Sequence, residues 1–350
     1  MSFYNLGMKA IVISSQGTPV APNVNIVHDW PDPDPAPGEV VVKTEAMALN
    51  HLDLWVGRGL PGFDFTYPRI SGSDGAGTVS AVGAGVDESW IGTRVALNAR
   101  KPAHDPVRPD FDPAPPDTFM IGEHIHGTMG EFFVAPAENL VSIGDVAATD
   151  AAAFSLSHLT AWRMMTSRAQ VRPGQWVLIT GIGGGVALAA LGIAKHLGCK
   201  VIVTSRHQWK LDKAKELGAD HGVLDEGEDW SRTVRGLTGK RGVDVCIDSI
   251  GKVVHVSCIK SLARGGAFVT CGCTTGPNPP TDLARIFWNQ LSILGSTMGD
   301  MDEFRAIMAL LRSGAIRPVI DSVYDFADAR EAYARIESGD HFGKIVIRAE

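Results

Sequence analysis

The stretch Trp176-Val-Leu-Ile-Thr-Gly-Ile-Gly-Gly-Gly-Val-Ala187 decides how this chain is read. An apolar run over 176–180 leads into Gly181, Gly183, Gly184 and Gly185. An apolar helical pattern over 186–197 follows, Gly198 closes it, and a β-rich run over 200–204 completes a strand–turn–helix–strand unit. Glycines let backbone amides come close to phosphates, and the N-terminus of the following helix adds aligned N–H groups and a positive dipole end. A lone glycine pattern of this kind is a weak signal; inside a complete unit it is a strong one. The competing reading, an ordinary tight βα turn in some other α/β protein, is the less favoured one given the complete unit around the glycines. A dinucleotide pyrophosphate is therefore expected at residues 181–185, with Val186 opening the helix.

At 350 residues the chain exceeds the length of about 250–300 at which single cores stop growing, so two domains are expected. A composition of 45% hydrophobic and 20% charged residues is that of a soluble globular protein. A formal net charge of −7 gives no reason to expect nucleic acid or an anionic membrane as partner. The cysteines (Cys199, Cys246, Cys258, Cys271 and Cys273) lack Cys-x-x-Cys spacing and sit mostly in apolar runs, as buried reduced thiols do. No basic segment followed by an apolar run opens the chain, and no apolar stretch reaches spanning length. A cytoplasmic location is the expectation.

The first third reads as β-rich, with strands expected at 8–14, 39–49, 72–82, 94–97 and 130–135. From Arg100 to Asp117 prolines and charges follow one another without either periodicity, and an irregular loop is expected. From about 150 onward helices and strands alternate. Helices are expected at 150–168, 186–197, 208–217, 230–238 and 253–262. The strands fall at 176–180, 200–204, 222–224, 243–248 and 266–271, with a last one from Leu291 to Thr297. That alternation implies an α/β fold with a doubly wound parallel sheet of the Rossmann kind. Two helices, 301–313 and 326–338, and a strand at 343–348 finish the chain.

Several segments resemble signatures of the medium-chain dehydrogenase/reductase superfamily. They are Gly38-Glu-Val-Val-Val-Lys43, Asn50-His-Leu-Asp-Leu-Trp55, Gly72-Ser-Asp-Gly-Ala-Gly77 and Leu159-Thr-Ala-Trp162. Ala214-Lys-Glu-Leu-Gly-Ala219, Gly242-Val-Asp-Val245 with Asp248, and His341-Phe-Gly-Lys-Ile345 extend the resemblance over essentially the whole chain. It implies a GroES-like β-barrel catalytic domain built from both chain ends, 1–150 and 300–350, with a Rossmann NADP-binding domain at 151–299 between them. It also implies a homodimer joined along the edge strand from Leu291 to Thr297, and an apolar edge needs pairing or cover on physical grounds.

Zinc-dependent members of the superfamily hold the catalytic metal with a Cys, a Gly-His-Glu motif and a second Cys. Those positions here carry Asn50, Ser73-Asp74 and Leu156. Asp74 alone suits a hard cation, but an amide, a hydroxyl and a leucine do not complete a tetrahedral N/S site. The structural zinc lobe of such members would fall at 97–118, where there is no cysteine. His104, Asp105, Asp110 and Asp112 in that segment read as a solvated loop rather than an oxygen-rich metal site. Neither a catalytic nor a structural zinc is expected.

Without a metal, hydrogen bonds must stabilise the charge on the substrate oxygen while a nicotinamide supplies hydride, which suits quinones and α,β-unsaturated carbonyls. Three residues are the catalytic candidates. Asn50, in the former ligand position, would touch the nicotinamide or the substrate carbonyl, or else cap a strand end. His51 would meet the pyrophosphate or relay a proton, or else be a surface turn histidine. Asp53 would organise the loop or cap a helix. His124 and His126 read as solvated loop residues. Thr160, Cys271-Gly272 and Phe342 with Lys344 match superfamily positions around the cofactor. At the end of the second strand, where NAD-preferring enzymes carry an acid, stands Ser205, with Arg206 and Lys210 beyond. An acid repels a 2′-phosphate, whereas a hydroxyl beside two cations binds it, so NADP(H) is expected. The resemblance thus implies a zinc-independent NADPH-dependent quinone or enone reductase. An alcohol or aldehyde dehydrogenase of the same superfamily and a non-catalytic NADPH-binding sensor or structural protein are the alternatives.

Overall fold

The computed structural model describes residues 7–60, 62–102 and 118–349. The chain divides into two compact units. One takes the N-terminal residues through Leu156, Asp300–Gly314 and the residues from Ile320 onward; the other takes Ser157–Gly299 and Ala315–Val319.

The second unit is built on six strands: Trp176–Ile179, Lys200–Ser205, His221–Leu224, Val243–Asp248, Leu262–Thr270 and Ser292–Gly295. They are all parallel and stand in the spatial order third, second, first, fourth, fifth, sixth. Val177, Leu178 and Ile179 are all fully buried, as are Val201, Ile202 and Val203. Continuous apolar runs of this kind mark strands covered on both faces, here by helices such as Gly185–His196 and Lys252–Ser261. The strand order reverses between the first and fourth strands, and that reversal opens a crevice at their carboxyl ends.

In the first unit, the strand Glu39–Ala48 is the hub. It pairs antiparallel with Asp74–Val82, Phe132–Pro136 and the last strand of the chain, Lys344–Arg348. The sheet begun at residue 39 is thus completed by the C-terminal segment. A second sheet, of Met8–Ile13, Val24–Trp30 and Arg69–Ile70, packs with the helix Ala329–Ser338 around a fully buried Tyr333.

Several elements differ from the sequence expectation. Residues 51–58, given no element on sequence, form the helix His51–Arg58, which Asp53 helps to cap as its residue type suggested, and which ends at Gly59 at a φ of 84°. The helix Leu283–Asn289 was not expected, because its large apolar residues face outward: Leu283, Phe287 and Trp288 are 72%, 69% and 72% exposed. The strands Val24–Trp30 and Ile320–Asp325 carry mixed polar patterns without clean alternation. Most of the proline-rich segment, residues 103–117, lies outside the described residues, and with it His104, Asp105, Asp110 and Asp112. Among the described residues no helix is long and apolar enough to cross a membrane.

Candidate functional site

In the second unit the chain leaves its first strand through Thr180 and enters the helix Gly185–His196 across the glycine turn. Gly181 and Gly183 have φ of 61° and 125°, conformations that side-chain-bearing residues avoid. A Cβ at Gly183 would also meet Cδ of Lys210 at 2.9 Å. Gly184 is different: its φ of −80° suits any residue, and a Cβ there would meet nothing within 4 Å. Neither backbone strain nor packing requires glycine at 184. The open space before the helix N-terminus is what an approaching phosphate needs, so the turn fits a dinucleotide.

Asp248 ties the crevice together. Its Oδ1 accepts from Thr180 Oγ1 at 2.6 Å and from Ile250 N at 3.1 Å, and its Oδ2 accepts from Gly251 N at 3.0 Å. These bonds link the carboxyl ends of the first and fourth strands, and burial raises the Asp248 carboxyl above its ordinary range. Ser205 ends the second strand, buried, and accepts from His207 N at 3.1 Å. Arg206 next to it is exposed, while the buried Lys210 lays its stem against Gly183. Ser205 and Lys210 therefore sit at the same end of the sheet as the glycine turn. Cys271 and Gly272 follow the fifth strand, and Cys271 N donates to Asp248 O at 3.1 Å. Burial, followed by the Asp248 charge, pushes the Cys271 thiol up to about 12, so it supplies no thiolate near neutrality. Thr160 is buried with its hydroxyl 3.8 Å from Met298 Sδ.

In the first unit the sheet register assembles a buried polar cluster. Ala48 lies opposite both Val346 and Asp74, which brings Asn50, Lys344 and Asp74 to one place. Lys344 Nζ donates to Asn50 Oδ1 at 2.6 Å and to Asp74 Oδ2 at 2.8 Å. Asn50 Nδ2 donates to Asp74 Oδ2 at 2.8 Å, and Leu156 N donates to Asp74 Oδ1 at 2.8 Å. The Asp74 and Lys344 side chains are only 0% and 4% exposed. Three of the positions read on sequence as former metal ligands thus converge, around an ammonium. The cluster does not fit a metal ion: the carboxylate and the amide oxygen are already spent on Lys344, and no thiolate or imidazole is present. Ser73 turns away and donates to Ile121 O at 2.8 Å. Among the described residues no three His, Cys, Asp or Glu side chains are grouped to hold a metal.

Lys344 was expected beside the cofactor; its contact with Asn50 was not foreseen, because the two lie at opposite ends of the chain. Phe342 is buried, and its N–H donates to Asp321 Oδ1 at 2.8 Å. Asp53, counted among the catalytic candidates, is a positioning residue. It is 0% exposed and accepts from the N–H groups of Asn50 and Gly72, each at 2.8 Å. His51 opens the helix His51–Arg58, and desolvation, then Arg58 and Lys344, lowers its pKa, which favours neutral imidazole at pH 7. His124 and His126, expected as solvated, are loop fasteners. Their Nδ1 atoms accept from Met120 N at 3.2 Å and Ile70 N at 3.3 Å, and burial, followed by Arg69, lowers the pKa of both.

Burial pushes the Asp53 carboxyl up to about 6, outweighing the two N–H bonds and the Lys344 charge that lower it. The fold therefore prefers protonated Asp53. This contribution is full below the unfolded value near 4 and is lost as pH rises through about 6. Between those limits wild-type stability relative to Asp53→Asn should fall by about 3 kcal/mol. Urea unfolding of both proteins from pH 4 to 7.5 measures it. A pH-independent difference would refute the assignment.

A parallel sheet with a glycine turn at its switch point, and a sheet unit closed by both chain ends, define a dinucleotide-dependent dehydrogenase of two units. The chain belongs to the medium-chain dehydrogenase/reductase superfamily, a family of nicotinamide-dependent oxidoreductases. Residues 36–145 match the alcohol dehydrogenase GroES-like domain, and residues 185–313 match the zinc-binding dehydrogenase domain. The zinc-type alcohol dehydrogenase-like protein YogA of Leptosphaeria maculans is 31% identical over 338 residues, covering 90% of this chain and 92% of that protein. A crystal structure of an NAD-dependent alcohol dehydrogenase is 37% identical with a TM-score of 0.91, over 98% of this chain and 100% of that one. A cobalt- and zinc-bound thermostable alcohol dehydrogenase from Pyrobaculum aerophilum is 29% identical with a TM-score of 0.85, over 97% and 99% of the two chains.

Proposed function

We propose that this oxidoreductase is a zinc-independent, NADP(H)-dependent reductase of quinones or α,β-unsaturated carbonyls. The observation that carries the reading is the Lys344 ammonium held between Asn50 and Asp74 where a metal's ligands would stand. Bound at the glycine turn, the cofactor supplies hydride to the substrate. The chain itself binds the pyrophosphate with backbone N–H groups of residues 181–185 and reads the 2′-phosphate with Ser205, Arg206 and Lys210. Lys344 and Asn50 each have a hydrogen-bond donor beyond those spent inside the cluster. Hydrogen bonds polarise a carbonyl less than a Lewis acid does, which favours substrates already activated by conjugation.

The test is oxidation of NADPH and of NADH against a panel of quinones, enones and aldehydes, with metal analysis of the dialysed protein. Activity with NADPH and a quinone or enone, without stoichiometric metal, is expected. An alcohol dehydrogenase, the reading favoured by the names of the relatives, would instead show stoichiometric zinc and alcohol oxidation. Arg206→Asp should weaken NADPH binding roughly tenfold or more and leave NADH binding equal or better. Equal effects on both cofactors would mean that Arg206 does not read the phosphate.

A homodimer along the strand Ser292–Gly295 is part of the same proposal. That strand ends the sheet order, and Ile293 on it is 44% exposed; Leu283, Phe287 and Trp288, on the helix Leu283–Asn289 that precedes it in the chain, are exposed too. Such an edge invites pairing. Phe287→Glu should convert a dimer to a monomer by light scattering; a monomeric wild type sinks the idea.

A further inference from the structure

The second unit contains an open cavity of about 370 Å³ lined by four arginines: Arg235, Arg241, Arg264 and Arg285. Leu262 and Leu291, which open the fifth strand and precede the sixth, line it as well, and Arg241 precedes the fourth. It therefore lies at the amino ends of these parallel strands. The glycine turn follows the carboxyl end of the first strand, so the two sites sit at opposite ends of one sheet.

The charges in this cavity are poorly compensated. Among the described residues Arg241 is the one of the four with hydrogen bonds to a carboxylate, that of Asp244, with Nη1 to Oδ2 at 3.1 Å and Nη2 to Oδ1 at 2.5 Å. Arg235 spends its Nη atoms on backbone carbonyls, of Leu262 at 2.9 Å and Lys240 at 2.6 Å, which leaves its charge unneutralised. Arg264 is exposed and makes no ion pair among the described residues. Arg285 Nε is buried without a hydrogen-bond partner, and its ion pair with Asp282 is long and exposed, Nε to Oδ2 at 3.9 Å. Like charges gathered around a cavity repel one another, and in a chain with a formal net charge of −7 such a cluster runs against the overall composition. A dianionic group would relieve the repulsion with bidentate, charge-assisted hydrogen bonds. The volume suits a small organic ligand, and Ile259, Leu262 and Leu291 give it an apolar wall.

We infer that this cavity binds a compact organic dianion, a phosphate ester or a dicarboxylate, held chiefly by Arg264 and Arg285. The proposal is independent of the reductase reading. Phenylglyoxal modification of the full-length protein, mapped by mass spectrometry at matched ionic strength, tests it residue by residue. One arm contains methyl phosphate and the other succinate. Labelling of Arg264 and Arg285 should slow in the arm that carries the right anion, while Arg305, an exposed guanidinium in the first unit, labels at an unchanged rate. Protection in one arm alone identifies the chemistry. Protection confined to Arg206 would place the anion at the cofactor turn and overturn the proposal, as would no protection or equal protection of Arg305. By calorimetry, Arg264→Ala/Arg285→Ala should weaken binding of the protecting anion at least roughly tenfold.

Discussion

Replacing Lys344 by methionine is expected to cost about 3–5 kcal/mol of stability, because it leaves the Asp74 carboxylate buried without its cation. Asp74 is 0% exposed and keeps only the Asn50 and Leu156 donors in that variant. Adding Asp74→Asn to Lys344→Met removes the orphaned charge and should recover more than half of the loss. Urea unfolding of wild type, both single variants and the double variant measures the coupling. Single losses that simply add would show that the pair is not coupled. The same variants should lose oxidoreductase activity, since Lys344 also orients Asn50 through its Oδ1.

Gly184→Val is expected to weaken cofactor binding by roughly a hundredfold, about 2.7 kcal/mol, while leaving the fold intact. The backbone at Gly184 tolerates a side chain, and no protein atom stands where its Cβ would go. The unfolding free energy should therefore change by less than about 1 kcal/mol. Gly183→Ala serves as the contrast, since a φ of 125° and Lys210 both oppose a side chain there, and it should lower stability and binding together. Cofactor titration by fluorescence, alongside urea unfolding, separates the two effects. Undiminished binding by Gly184→Val would mean that the turn does not hold the pyrophosphate.

The parts of the site that were legible in the sequence are those set by local rules. The glycine turn is contiguous, its flanking strands are continuous apolar runs, and Ser205-Arg206 follows from the length of one strand. The missing metal ligands were legible too, since they are a matter of residue type at matched positions. What replaced them was not. Asn50, Asp74 and Lys344 meet because an antiparallel register sets Ala48 against Asp74 on one side and Val346 on the other. In the helix Leu283–Asn289, Ile286 alone of the large apolar residues packs on the core while Leu283, Phe287 and Trp288 face outward, so residue type and burial point in opposite directions there. His124 and His126 looked like loop polarity, although each ring accepts a backbone N–H in a partly buried loop.

By itself the sequence determined the architecture of the nucleotide unit and the residue types, Asn50, Asp74 and Leu156, at the superfamily's ligand positions. Each of these rests on neighbours along the chain or on residue identity. Only the tertiary structure decided what fills the ligand-poor centre of the first unit and where four arginines gather. Those features join residues separated by up to 294 positions for Asn50 and Lys344, and such pairings depend on sheet register and topology rather than on local pattern.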